Sequence, residues 1–428
     1  MTPAVTDAWL REAANLYGTP SFVYFTDPIQ QRIAALRSAF RDRFALSFAV
    51  KSNPNPGLLA WLAGRVPFLD ISSIGEMRLA LQAGWDPAEL SFTGPGKRDF
   101  ELAEAIAQGV GELILESVRE ARAADAIAGS LGRAQPVLIR IAPQSVPRGF
   151  GDQMAGRPCA FGIDAEAVSE ALPEILRLSN LRVVGLHIYS GTQCLNPAAI
   201  VENYRGFLGL FRAICRDHDL APTKLVFGSG LGVPYHDGDT PLDLEPIARA
   251  ILPELDDLRA TPGFGRTRLV LELGRYLVAE AGFFVTRVVS IKESRGVRIA
   301  ICDGGMNNHL PASGHFGMVI RRNYAMHRVG GGEPIEKIDL VGPLCTSIDR
   351  LAAGAVLPRL EEGDLVAVHN SGAYGLTASP IHFISHAPPA ELMVTDGAIR
   401  DVTRFFADPN PEPALPLARV DRARRDVA

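Results

Sequence analysis

Short, nearly continuous apolar runs alternate with segments whose apolar residues recur three and four positions apart, over about two hundred and fifty residues beyond residue 30. The runs predict strands over 44–51, 66–73, 90–95, 112–117, 135–141, 181–190, 224–230 and 268–274. Most are dense in Val, Leu, Ile and Phe, the composition of strands buried on both faces. Helical spacing falls between them, in segments such as Gly75–Ala83, Phe100–Gln108, Val118–Ala128, Ala165–Leu178, Ile200–Arg216 and Leu244–Arg259. Eight strands alternating with helices predict an α/β fold closed into a (β/α)8 TIM barrel. A doubly wound open sheet is the alternative.

Beyond Ala281-Gly282 the pattern changes. Segments 283–292, 297–302, 337–341, 364–369 and 391–395 alternate or run apolar with Gly and Pro between them, predicting an all-β domain. Ahead of the barrel lie a helical piece from Thr6 to Tyr17 and an extended Ser21-Phe22-Val23-Tyr24-Phe25, which fits either part. The tail from Ala407, rich in Pro, Arg and Asp, is expected to be poorly ordered.

The 428 residues, 47% of them hydrophobic, suffice for a sizeable core, and a net charge of -5 argues for neither nucleic acid nor a membrane surface as partner. No apolar run is long enough to cross a bilayer, and Asp7, Arg11 and Glu12 interrupt the N-terminus, so no signal peptide is expected. Cys159, Cys194, Cys215, Cys302 and Cys345 lack CxxC spacing. That favours reduced thiols in the cytoplasm over a disulfide framework, and no metal site is expected.

Lys51 ends the first predicted strand, just before Asn53-Pro54-Asn55-Pro56. A lysine there either snorkels to solvent or, if buried, is costly unless paired or reactive. Buried lysines lose their charge readily and make good amines for Schiff bases. In a barrel the active site stands at the carboxyl ends of the strands. Asp70 lies near the end of the second, Arg140 in the fifth, and His187, Tyr189 and Ser190 close the sixth. Gly228-Ser229-Gly230-Leu231-Gly232 follows the seventh, and Glu272-Leu273-Gly274-Arg275 ends the eighth. Glycine-rich loops bring backbone N–H groups close to a phosphate, and barrels commonly bind phosphate after their last two strands. Taken singly, these glycines are also a tight turn, Glu272 a carboxylate satisfied by its neighbour strand, and Arg275 a surface ion pair. Together, an amine for an aldehyde, a phosphate cradle and a carboxylate to keep a pyridine nitrogen protonated are what pyridoxal phosphate requires.

The chain resembles the fold-type III pyridoxal-phosphate decarboxylases, the group of the diaminopimelate, ornithine and arginine decarboxylases. The matching motifs are Ala49-Val50-Lys51-Ser52-Asn53-Pro54, Gly185-Leu186-His187 with Gly191-Thr192-Gln193, Gly228-Ser229-Gly230-Leu231-Gly232, Glu272-Leu273-Gly274-Arg275, Gly342-Pro343-Leu344-Cys345 and Gly372-Ala373-Tyr374-Gly375. They keep the family's order from roughly residue 20 to residue 400. The resemblance implies a segment 1–27 joining the β domain, a cofactor-binding barrel over 28–282, a β domain over 283–406 and a tail over 407–428. It also implies a head-to-tail homodimer with shared active sites, each completed by Cys345 of the partner subunit. Lys51 would bond the coenzyme's aldehyde, and Glu272 would hold the pyridine nitrogen. Gly228, Ser229, Gly230, Gly232, Gly274, Arg275 and the Tyr374 hydroxyl would hold the phosphate, with Thr192 in the same cofactor-binding set. Cys345 would return a proton to the substrate's α-carbon after carbon dioxide leaves; without the resemblance, a small core hydrophobe is its first reading.

Three departures are informative. Family members carry a histidine two residues before the glycine of Gly191-Thr192-Gln193, stacked on the pyridine ring; here Tyr189 holds that place. His187, two residues earlier, points to the same face of the strand, so which of the two lies on the ring is open. The family's EPGR is ELGR here, which changes loop stiffness but no chemical group. Where diaminopimelate decarboxylases follow the cysteine with a glutamate for the substrate's distal ammonium, this chain has Thr346, at a cost of about a few kcal/mol to a buried cationic substrate. Arg321 matches the arginine used for a distal carboxylate, though Arg321 and Arg322 also read as a solvated pair. Tyr324, Thr346, Asp349 and Arg275 complete the candidate substrate-binding set. The Cys-Thr-x-x-Asp pattern is more similar to decarboxylases of secondary-metabolite and exopolysaccharide gene clusters, one of which acts on a glutamyl group tethered to a carrier protein. The implied function is decarboxylation of an α-amino acid, free or presented by an acyl carrier protein. Its rivals are a diaminopimelate decarboxylase, an amino-acid racemase on the same barrel, and a non-catalytic cofactor-binding regulator. The last is disfavoured because Lys51, Glu272, Arg275, Cys345 and Tyr374 are all present.

Overall fold

The computed structural model describes residues 2–316 and 321–404; the tail from Ala407 lies outside them. Eight parallel strands, Ala45–Ala49, Phe68–Ile71, Leu90–Phe92, Glu112–Leu115, Gln135–Ala142, Leu181–Ile188, Lys224–Gly228 and Arg268–Leu273, pair in chain order. The ring closes where the eighth meets the first, Glu272 opposite Ser47 and Leu273 opposite Phe48. The open-sheet alternative is thereby excluded. The closed ring leaves no free edge, so each strand's inward positions must fill one interior. Phe68, Ile114, Leu138, Val184, Val226 and Val270 form that fill toward the base, away from the carboxyl ends.

Helices wrap the ring because their apolar stripes have no other place to go. In Pro197–Asp217, Tyr204, Phe207 and Phe211 share a face and set their rings 5.9, 6.1 and 5.1 Å from that of Phe227 on the seventh strand. The helix starts on Asn196, whose side chain accepts from the Ala198 N–H, with Pro197 at its first position. The predicted 165–178 helix is shorter, Val168–Leu176, with a single 3-10 turn ahead of it.

The second sheet is built around Gly282–Ser294, which pairs with Val297–Cys302 and Leu365–Val368. Ser21–Phe25 lies inside this sheet, antiparallel to Gly282–Ser294 and parallel to Ala390–Thr395. Every residue of it is buried, which explains why SFVYF carries no polar alternation. Three further strands, Met326–Arg328, Arg350–Leu357 and Ala398–Asp401, escape the apolar pattern. The second of these, RLAAGAVL, is too rich in Ala and Gly to show a period.

Candidate active site

The first barrel strand stops at Ala49, and Lys51 stands in a single 3-10 turn, Val50–Ser52, rather than on the strand itself. The turn is fixed by the Ser52 hydroxyl, which donates to the Ala49 carbonyl, and by the Tyr374 N–H, which donates to the Ser52 carbonyl at 2.7 Å. Lys51 therefore enters a narrow cavity at the carboxyl rim. Around it stand Tyr189 and Thr192 from the connection after the sixth strand, Ser229 after the seventh, Glu272, Gly274 and Arg275 at the end of the eighth, and Tyr374 from the β domain.

Glu272 is 3% exposed, and its Oε2 lies 2.9 Å from His187 Nε2. Burial opposes the charge on Glu272, but His187, the Lys51 ammonium and Arg140 outweigh it and hold the carboxyl down to about 2. Burial also pushes His187 below its ordinary value, against the pull of Glu272. His187 thus sits beneath Glu272 in the barrel interior. Tyr189 instead lines the cavity, its ring centroid 5.7 Å from Lys51 Nζ. Of the two, Tyr189 lines the cavity and His187 does not.

Asp70, on the second strand, is 1% exposed and faces Lys51 at 3.8 Å. Its Oδ1 accepts the Thr93 hydroxyl, and its Oδ2 is buried without a hydrogen-bond donor. Burial first, and Glu272 second, push this carboxyl well above the ordinary carboxylate range. For Lys51, burial works against the charge, but Asp70 and Glu272 outweigh it and hold the ammonium above its usual value.

The cradle after the seventh strand is formed by close approach. A Cβ at Gly228 would collide with the Tyr189 ring, and one at Gly230 (φ +67) with Phe150. Arg275 Nη1 donates to the Tyr235 hydroxyl at 2.8 Å, while its buried Nε has no partner. A glycine loop, a guanidinium with an unpaired N–H and a lysine on the opposite wall fit a phosphorylated aldehyde, and Glu272 fits its ring nitrogen. The residues present therefore match pyridoxal phosphate on their own chemistry.

The candidate substrate residues gather less completely. Tyr324 is buried, its ring 4.8 Å from Tyr235, and it lines a wider cavity of about 580 Å³ that shares Thr192 and Arg275 with the first. Arg321 is exposed, does not line either cavity, and donates to the Arg350 carbonyl. Its neighbour Arg322 is the one at the wider cavity, held by Asp239 at 3.0 Å. Asp349 is 3% exposed, with one oxygen accepting from the Met306 N–H at 2.7 Å and the other from the Leu344 N–H at 2.9 Å. Both oxygens are occupied by backbone, so Asp349 holds the 342–349 turn rather than a substrate in this subunit. Cys345 is exposed and Thr346 half-buried on that turn, and neither lines the Lys51 cavity. Sequence reasoning placed Asp70 at a strand end without a role and passed over Tyr235. The signal for Tyr235 was its position three residues after Gly232, on the cradle's exit.

Comparison with known proteins agrees. Residues 26–279 match the family model described as pyridoxal-dependent decarboxylase, pyridoxal binding domain. The chain is 34% identical over 393 residues to the L-glutamyl-[BtrI acyl-carrier protein] decarboxylase of Niallia circulans, covering 91% of each. It is 30% identical over 397 residues to the diaminopimelate decarboxylase of Aquifex aeolicus, covering 91% of this chain and 90% of the other. The crystal structure of Helicobacter pylori diaminopimelate decarboxylase complexed with L-lysine superposes with a TM-score of 0.81 at 28% identity, over 92% of this chain and 96% of that one. The chain belongs to the pyridoxal-phosphate-dependent decarboxylases of the ornithine, diaminopimelate and arginine group.

Proposed function

We propose that this enzyme decarboxylates an α-amino acid whose distal end carries no free ammonium, such as an acyl-linked or carrier-tethered acidic amino acid, in the cytoplasm. The observation that carries the decarboxylase reading is that Lys51, Ser229, Glu272, Gly274, Arg275 and Tyr374 line one cavity, with Asp70 3.8 Å from the Lys51 ammonium. Bound pyridoxal phosphate supplies an aldehyde for amine capture and a ring that accepts the electron pair left by departing carbon dioxide. Lys51 provides the amine that bonds the coenzyme and is displaced by the substrate's own. Glu272, kept ionised by His187, holds the proton on the ring nitrogen. The backbone of 228–232, with Gly274, Arg275 and Tyr374, binds the phosphate, and Tyr189 covers the ring. Cys345 would supply the α-proton from the partner subunit; that it is exposed and does not line the Lys51 cavity of its own subunit supports that division.

Two features support the substrate class. Among the cations at the wider cavity are Arg275 and Arg322, which suit an anionic group, and Asp239 there is engaged by Arg322 and by the His236 N–H, leaving Asp152 as its other carboxylate. The relative from Niallia circulans is named for a carrier-bound glutamyl group. The deciding experiment measures carbon dioxide release from free and carrier-linked glutamyl substrates against meso-diaminopimelate. Faster turnover of diaminopimelate would defeat the substrate reading, and no release from any of them the reaction itself. Mixing Lys51→Ala with Cys345→Ala subunits, each inactive alone, should restore about a quarter of full activity if sites are shared across a dimer.

A further inference from the structure

Two carboxylates, Asp70 and Glu272, act on a single ammonium, that of Lys51, at the carboxyl rim of the barrel. They are not equivalent. Glu272 is paired with His187 at 2.9 Å, whereas Asp70 Oδ2 is buried, without a donor, and 3.8 Å from Lys51 Nζ. We propose that Asp70 is the proton acceptor for Lys51, taking a proton from Nζ so that the neutral amine can attack the coenzyme's aldehyde. The inference rests on Lys51 being the amine that bonds the coenzyme.

The step balances within the cavity. The Nζ–H electron pair becomes the lone pair that forms the new carbon–nitrogen bond, and the proton goes to Oδ2. Asp70 then gives that proton to the aldehyde oxygen and relays a second one to it from the nitrogen; the carbon–oxygen bond breaks as the second carbon–nitrogen bond forms, and the oxygen leaves as water with Asp70 ionised again. A rotation about the last bonds of the lysine side chain closes 3.8 Å to hydrogen-bonding distance, because the ammonium has three rotatable donors and no competing acceptor in the described structure. Moving the proton between neighbours leaves the net charge of the buried cavity unchanged, so no uncompensated ion is created.

The groups facing Asp70 fit this role. From the 3-10 turn comes Lys51, from the eighth strand Glu272, from helix Ile74–Gln82 Glu76, and from the barrel base Lys224. Glu76 is committed to the Ser72 N–H at 2.7 Å and Lys224 to Glu112 at 2.9 Å. Burial and the charge of Glu272 make the Asp70 carboxylate a ready acceptor, while the Thr93 hydroxyl keeps it oriented.

The test is rebinding of pyridoxal phosphate to the full-length apoenzyme, followed by the absorbance of the lysine-bound coenzyme between about pH 7 and pH 9. With an internal acceptor, the wild-type rate should be flat with pH. In Asp70→Asn the proton must go to solvent, so the rate should fall at pH 7 and rise about tenfold per pH unit. Asp70→Glu and Thr93→Val retain the carboxylate and should keep a flat profile. A flat profile in Asp70→Asn overturns the proposal. So does a tenfold-per-unit rise in the wild type, which decides the matter even if Asp70→Asn fails to fold. If the wild type shows no such absorbance at all, the coenzyme reading falls and this proposal with it, a result distinct from either pH profile.

Discussion

The barrel carries three lysines whose surroundings differ in one respect. Lys97, in its wall, donates to the Gly94 carbonyl at 2.6 Å and the Ile114 carbonyl at 2.9 Å, and pairs with Glu120 at 2.7 Å. Lys224, at the base, donates to Glu112 at 2.9 Å, with its ammonium 4.1 Å above the Phe68 ring. Lys51, at the rim, has a carboxylate at 3.8 Å and no closer acceptor among the described residues. Side-chain exposures of 2%, 6% and 35% follow the same order. A buried ammonium with all its donors used is a structural brace, and removing a proton from it would break several bonds at once. The Lys51 ammonium is held by the charges of Asp70 and Glu272 rather than by close hydrogen bonds, so a proton can leave it without breaking any. Reactivity here is a matter of what was left unsatisfied.

The sharpest way to break this contrast is Lys51→Ala, which should remove the absorbance of lysine-bound coenzyme and lower turnover by about three orders of magnitude or more. Its melting temperature should change little, as read by calorimetry of the apoenzyme. Lys97→Met should do the opposite. It strands Glu120, 5% exposed at its side chain, and should cost about 3–5 kcal/mol in denaturant unfolding while the folded fraction keeps wild-type kcat. His187→Leu removes a hydrogen bond to an ionised group, worth about 1.5–3 kcal/mol, so kcat should fall roughly 10- to 100-fold. If kcat held, Glu272 would not depend on His187.

The smallest effect concerns a histidine with both nitrogens engaged. His309 accepts the Ala312 N–H at 3.2 Å and bonds Ser371 at 2.9 Å, and burial holds it down to about 3 from 6.5. Its folded value lies below its unfolded one, so its contribution is complete above pH 6.5 and is lost as pH falls toward 3. Between pH 6.5 and about 5 this should cost about 2 kcal/mol, and His309→Gln should flatten that part of the stability profile even if it lowers stability at neutral pH.

Much of the barrel was readable in advance because a strand buried on both faces must be apolar throughout, and each run is bounded by polar or Gly-rich connections. Residues 350–357 were not readable: half-exposed Ala and Gly positions carry no period, and the strand is defined by its partner at Glu336–Val341. The cofactor wall was legible because Glu272 and the 228–232 glycines fall at strand ends of one parallel sheet, where register alone brings them together. The partnerships were not. Asp70 meets Lys51 from the neighbouring strand, His187 on the sixth strand meets Glu272 on the eighth past the seventh between them, and Asp349 turns inward to two backbone N–H groups. Such contacts depend on side-chain depth, which a linear pattern does not encode.

Ser21–Phe25 leads directly into helix Thr26–Ala39 of the barrel, yet it is clamped between Gly282–Ser294 and Ala390–Thr395. During synthesis this hydrophobic segment is made well before either neighbour, and must wait for the whole barrel and most of the β domain before its second neighbour exists. Until then the nascent chain carries an unpaired adhesive strand, a natural target for chaperones and a point where neighbouring copies could tangle. Any truncation upstream of Ala390 would make that temporary exposure permanent.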